Sequence, residues 1–130
     1  MSYDVFLQRF RDGEVALVES PEVWSILEEA WDAPPDKFDY CRVSRGADEG
    51  DLYAVPIGTP IDSLMFNHAG RAIYHLMFDV AVAGDMTIMP LDVGPFIVRE
   101  DQLEHLPAEL RSSAIVIRSG VELVRAIEEA

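Results

Sequence analysis

YDVFLQRF, residues 3–10, alternates in a way that only a strand can use. Tyr3, Val5 and Leu7 point one way; Phe6, Gln8 and Phe10 point the other. Apolar groups on both faces place that strand well inside a sheet. Asp12-Gly13 turns the chain directly after it. The rest of the sequence must therefore supply neighbours for this strand and a layer to cover it.

The neighbours are legible as short apolar runs between turn signals. Phe38 to Arg45 and Leu52 to Ile57 read as two strands, joined by the polar connection RGADEGD as an antiparallel hairpin. Pro56 marks a strand end or a sheet edge. Leu64-Met65-Phe66 reads as a further short strand. Met86 to Met89 and Phe96 to Arg99 form another pair across Pro90–Pro95, and Ala114 to Arg118 is a last strand.

The cover is helical. Ser20-Pro21 opens a helix, because serine caps and proline suits the first helical position. Val23, Leu27, Ala30 and Trp31 follow at helical spacing, and Ala33-Pro34-Pro35 stops it. A central helix starts near Asn67 or His68, with Gly70 in its first turn. Asp101 and Glu104 have capping-box spacing, which suggests one helical turn over 102–105. Ser119 and Glu122 repeat that spacing and open a final helix with Leu123 and Ile127 towards the core. The expected fold is α+β: one domain over residues 1–130, a mainly antiparallel or mixed sheet, two to three helices packed on it. Strand order is not encoded in these signals.

Composition bounds the function. The 130 residues are 49% hydrophobic and 26% charged, a globular balance. Acids number 24 against 10 bases, for a net charge of −14. Nucleic acid and anionic membrane surfaces are poor partners for such a chain, because phosphate contact needs clustered cations. A basic protein would be drawn to it by the long-range field. The single cysteine, Cys41, excludes an internal disulfide and suits a reducing compartment. Early charges argue against a signal peptide, and no apolar run approaches the ~20 residues of a membrane span. The expectation is a cytoplasmic protein.

The sharpest candidate chemistry is RAIYHLMFD, residues 71–79. Arg71, His75 and Asp79 recur every four residues and fall within about 80° of one another on a helix. Asp79 could orient His75 as a general base. Yet no G-x-S-x-G or H-E-x-x-H accompanies them, and a triad also needs a nucleophile and an oxyanion site. The alternative is a polar stripe with weak i,i+4 pairs, and no metal or cofactor is expected. A second candidate is the acidic group Glu28, Glu29, Asp32 and Asp36 around Trp31, since an aromatic among carboxylates can anchor a basic partner. A third is an adaptable apolar pocket lined by Met65, Met77, Met86 and Met89.

The opening YDVFLQRFRDGE, the segment His105-Leu106-Pro107 and the tail SGVELVRAI resemble small, acidic bacterial proteins of uncharacterised role. That resemblance spans both ends of the chain and brings no activity or catalytic motif. In size, acidity and α+β pattern the chain is also similar to immunity proteins, which neutralise toxins. The expected function is a non-enzymatic protein-interaction module, immunity-like, with a basic protein partner. A small enzyme using His75 and Asp79 and a small-ligand sensor with a Met-lined pocket are the alternatives. Oligomeric state is not readable.

Overall fold

The structure, a computed structural model, describes residues 4–56 and 58–129. Tyr3 and Ile57, assigned to strands from sequence, lie outside them. The fold is α+β. Strand β1 (Val5–Arg11) sits mid-sheet between β5 (Ser63–Asn67) and β6 (Thr87–Pro90), antiparallel to both. Outward from β5 come β4 (Asp48–Tyr53) and β3 (Cys41–Arg45); outward from β6 come β7 (Phe96–Ile97) and β8 (Ile115–Val116). Among the described residues only β7 and β8 pair in parallel, so the sheet is mixed. A short β2 (Glu14–Ala16), not expected from sequence, folds back on the end of β1 across Asp12-Gly13.

Three helices form the covering layer. They are α1 (Pro21–Ala30), α2 (Arg71–Gly84) and α4 (Gly120–Glu128); α2 lies over the sheet, flanked by the other two. Val23 and Leu27 of α1, Ile73, Leu76, Met77 and Val80 of α2, and Leu123 of α4 share one core with Val5, Leu7, Leu52, Leu64, Phe66, Ile88 and Phe96 of the strands. Alternate strand residues therefore face the helices, as the period of two requires.

The opposite face of the sheet is only partly covered. A 3-10 segment, Glu100–His105, and the single turn α3 (Ala108–Arg111) lie towards its β7 side. Gly13 N donates to the His105 carbonyl at 3.0 Å, tying that segment to the β1–β2 turn. Thr87, Ile97 and Leu106 are buried there, apart from the main core. Among the described residues no helix lies over β5 and β4 on this side, and only the 3-10 segment reaches β1. Phe6, expected inside, is 37% exposed for that reason.

Four local expectations are corrected. The β3–β4 connection is a tight Gly46-Ala47 turn, because Asp48–Asp51 belong to β4. The acidic β4 holds its place through Gly50, which packs beneath α2: a Cβ there would lie 3.3 Å from Ile73. Next, α1 ends at Ala30, before the prolines, because Trp31 turns extended and bridges to Val43, and Asp32 N donates to the Arg42 carbonyl at 2.9 Å. Third, α2 begins at Arg71, with Gly70 as its cap residue. Gly70 brings no side chain, and Asp48 from β4 accepts instead from Ala72 N at 2.8 Å. Finally, the 3-10 segment is opened by Gln102, whose Oε1 accepts from Val98 N at 2.7 Å and Arg99 N at 3.2 Å, and not by an Asp101–Glu104 box. At α4 the cap is as expected: Ser119 Oγ accepts from Glu122 N at 3.1 Å. The Glu122 carboxylate reaches one residue further back, to Arg118 N.

Candidate functional site

Arg71, His75 and Asp79 do share a face of α2, but each meets a different element. Arg71 grips Glu128 of α4 with two guanidinium nitrogens, at 2.8–3.1 Å. Asp79 accepts from Arg45 of β3 at 2.7 Å. His75 is half-buried against the start of α4, where the approach is so close that only a glycine fits at Gly120. Among the described residues no hydrogen bond or ion pair joins His75 to Asp79. The row divides into three separate attachments, holding α4 and the β3–β4 hairpin to α2.

Two members of the row line a cleft between α2 and α4. It has a volume of about 330 Å³, and Val121, Val124, Arg125 and Glu128 complete most of its wall with Arg71 and His75. No serine, threonine or cysteine lines it. An imidazole without a carboxylate to orient it, and without a nucleophile in reach, offers no route to the acyl-transfer chemistry of a triad. Cys41 is elsewhere, buried on β3. Burial first, and then the charges of Asp32 and Asp36, push its thiol pKa up to about 11. A thiol so placed stays protonated and inert at neutral pH. Among the described residues no group of three or more His, Cys, Asp or Glu is arranged to hold a metal ion.

The acidic group around Trp31 is dispersed. Glu28 and Glu29 stand exposed on α1. Asp32 accepts from Ser44 Oγ at 2.7 Å. Asp36 accepts from Phe38 N at 2.8 Å and Tyr40 N at 3.2 Å, so its carboxylate shapes the turn before β3. Trp31 is half-buried against the core. The tryptophan that lines a groove with an acid is Trp24, beside Glu19, Pro21, Glu28 and Pro60, in a groove of about 470 Å³. Trp24 stands one turn into α1, four residues before Glu28, and that i,i+4 spacing is the sequence signal that could have paired them. The four methionines are likewise divided: Met77 and Met86 are fully buried in the core, whereas Met65 and Met89 lie on the other side of the sheet.

A polar cluster not anticipated from sequence occupies that outer side. Tyr40 Oη donates to Asp51 at 2.6 Å, and His68 Nδ1 lies 2.9 Å from the same carboxylate, with Arg42 at 4.0 Å. The hydrogen bond to Asp51, with some desolvation, pushes the Tyr40 pKa up to about 12. For Asp51, partial burial works against the charge, but the Tyr40 and His68 contacts and the Arg42 charge outweigh it and hold the carboxyl below its ordinary value. Its members are forty to sixty-eight in the chain and meet only because β3, β4 and β5 pair.

No helix among the described residues is long and apolar enough to cross a membrane. Compared with known proteins, the chain matches no family model, no curated sequence and no solved structure.

Proposed function

We propose that this chain is a non-enzymatic protein-interaction module that takes a basic protein partner. The observation that carries the reading is the distribution of charge. Of the few cations, Arg9, Arg42, Arg45, Arg71, Arg99 and Arg118 each lie against a carboxylate of this same chain. Six of the ten cations are thus met within the chain, while Glu28, Glu29 and most other acids stay outward in a chain of net charge −14. Such a field steers cationic proteins inward and acts chiefly on the association rate. The division of Arg71, His75 and Asp79 among three attachments supports binding over catalysis. The split of the methionines across the sheet speaks for a surface over an enclosed ligand pocket. The resemblance to small acidic bacterial proteins, and the style shared with immunity proteins, fit a cytoplasmic inhibitor of a basic toxin-like protein.

The test is affinity capture across a salt series with wild-type protein and with the Glu28→Lys/Glu29→Lys variant. The captured proteins are expected to be basic and to be lost as salt rises, since screening shortens the field to ~8–10 Å. The variant should capture them more slowly. Identical, salt-insensitive capture by both proteins would refute the reading.

A further inference from the structure

The outer face of the sheet carries an apolar row whose members Phe6 and Tyr53 are more than a third exposed and whose members Tyr40, Met65 and Met89 are half-buried. Register places it: Met65 of β5 and Met89 of β6 both pair with Phe6 of β1, and Tyr53 of β4 pairs with Met65. Directly paired residues point to the same face of a sheet. Tyr40 extends the row, with its ring centroid 5.0 Å from that of Tyr53. Five side chains, Tyr40, Tyr53, Met65, Phe6 and Met89, therefore stand in line across five adjacent chain segments. At ~4.8 Å per strand the line is roughly 20 Å long. It ends in a groove of about 300 Å³ where Met89 meets Leu91, Pro95 and Leu110. Leu91 is 62% exposed.

The chemistry beside the row says what fits on it. One step along the strands, on the same face, lie Asp4, Asn67 and Asp51 in a second row, with Asn67 donating to Asp4. Glu49 and Arg42 neutralise one another further out. Asp51 is already met by Tyr40, His68 and Arg42, whereas among the described residues Asp4 accepts only from the neutral Asn67, so the charge left on this flank is that of Asp4; the opposite flank, Ser63, Gln8 and Thr87, is uncharged. A second copy of this chain would bring the same carboxylates and another net charge of −14 onto the face, a repulsive match. Aromatic residues and methionine are the types enriched where proteins meet, and the ring faces of Tyr53 and Phe6 also attract cations.

We propose that this face is where the basic partner docks, through an apolar strip flanked by lysine or arginine that lies along Tyr53, Met65, Phe6 and Met89 with its cations towards Asp4. The inference rests on the basic-partner reading and divides its labour. The acids of α1 and the rest of the surface steer by field, without contact. The sheet face holds, by burying apolar area, and so governs dissociation.

The methionines provide the readout. The full chain is labelled with 13C at the methionine methyls and with 15N throughout, and titrated with a synthetic peptide of alternating lysine and leucine, and separately with its glutamate–leucine counterpart. The lysine peptide should move or broaden the Met65 and Met89 signals and leave the core residues Met77 and Met86 in place. The paired Phe6→Gln/Met65→Gln variant should bind it about tenfold more weakly, with thermal unfolding showing that the fold is kept. The single Tyr53→Gln variant repeats the test should the pair fail to fold. Binding that perturbs only the Glu28 and Glu29 amides would overturn the docking face and leave the basic-partner reading standing. No binding of the lysine peptide would overturn both. Equal binding of the glutamate peptide would overturn the charge assignment, and Met65 and Met89 signals that change with protein concentration alone would give the face to a second copy.

Discussion

Replacing Gly120 with alanine should destabilise the protein, and removing the His75 ring should undo most of the damage. A Cβ on Gly120 would sit 2.8 Å from His75 Cγ and 3.0 Å from Cε1, with Nδ1 closer still. Ordinary contact begins near 3.4 Å, so the ring or α4 must retreat by more than half an ångström. Neither moves freely. Leu123 and Val124, in the next turn of α4, are buried, and Leu76 and Met77 beside His75 are fully buried. Overpacking of this kind costs about 1–3 kcal/mol. Alanine recovers part of that through its higher helix preference, at most about 1 kcal/mol and less at a helix start. The net expectation is a loss of about 1–2 kcal/mol.

His75→Ala alone removes a half-buried ring and should cost about 1 kcal/mol. With both substitutions the new methyl fills space the ring has left, so the double variant should be more stable than the sum of the singles by about 1–2 kcal/mol. Urea unfolding of the four proteins measures this, provided the m-values agree. Additivity within ~0.5 kcal/mol, or a neutral Gly120→Ala, would show that His75 does not pack under α4 and would return it to the cleft as a free group.

Asp48→Ala should cost about 1–2 kcal/mol by taking the acceptor from Ala72 N at the start of α2, whereas Asp48→Asn should keep most of the stability; equal melting of the two variants would remove the cap. Cys41 and Tyr40 both have pKa values raised on folding, from 9.0 to about 11 and from 10.0 to about 12. The folded state therefore holds these protons more tightly, and the stability linked to them is complete below about pH 9 and lost as pH rises through 11 and 12. Melting temperature should fall across that window, Cys41 should resist thiol reagents until the chain unfolds, and Asp51→Asn should bring the late tyrosine titration to lower pH. Rapid labelling of the folded protein would contradict the burial of the thiol.

What the sequence disclosed was local. Ser20-Pro21 and Ser119 announced α1 and α4 because a cap and the backbone it satisfies are three residues apart. The alternation at Val5–Phe10 announced a central strand because a period of two is written in adjacent residues. What stayed hidden depends on partners distant in the chain. The DEGDLY strand looks like a polar loop until Gly50 is seen beneath Ile73. The cap of α2 comes from Asp48, twenty-four positions before the amide it accepts from. Trp31 reads as the end of a helix, yet it leaves the helix to bridge Val43. The i,i+4 spacing correctly put Arg71, His75 and Asp79 on one face, but spacing along one helix does not say that three other segments press against it.

The same distinction separates the two faces of the sheet. On the helical side, polar groups in an apolar setting are each consumed: Arg71 by Glu128, Asp79 by Arg45, His75 by the approach of α4. A substitution there changes packing first, and any effect on a partner passes through stability. On the outer side, Phe6 and Tyr53 remain more than a third exposed although each is paired within the sheet. Among the described residues their contacts lie within the row itself, Tyr53 on Tyr40 and Phe6 between Met65 and Met89, and none reaches the helical core, so exchanging them for polar residues of similar size should cost about 1 kcal/mol and keep the fold. An exposed aromatic that the fold does not need is a place where selection for binding can act without opposing stability. The charge of the chain, spread over every face, cannot choose between surfaces; the row can, because register fixes its five side chains in one line on the side the helices leave open.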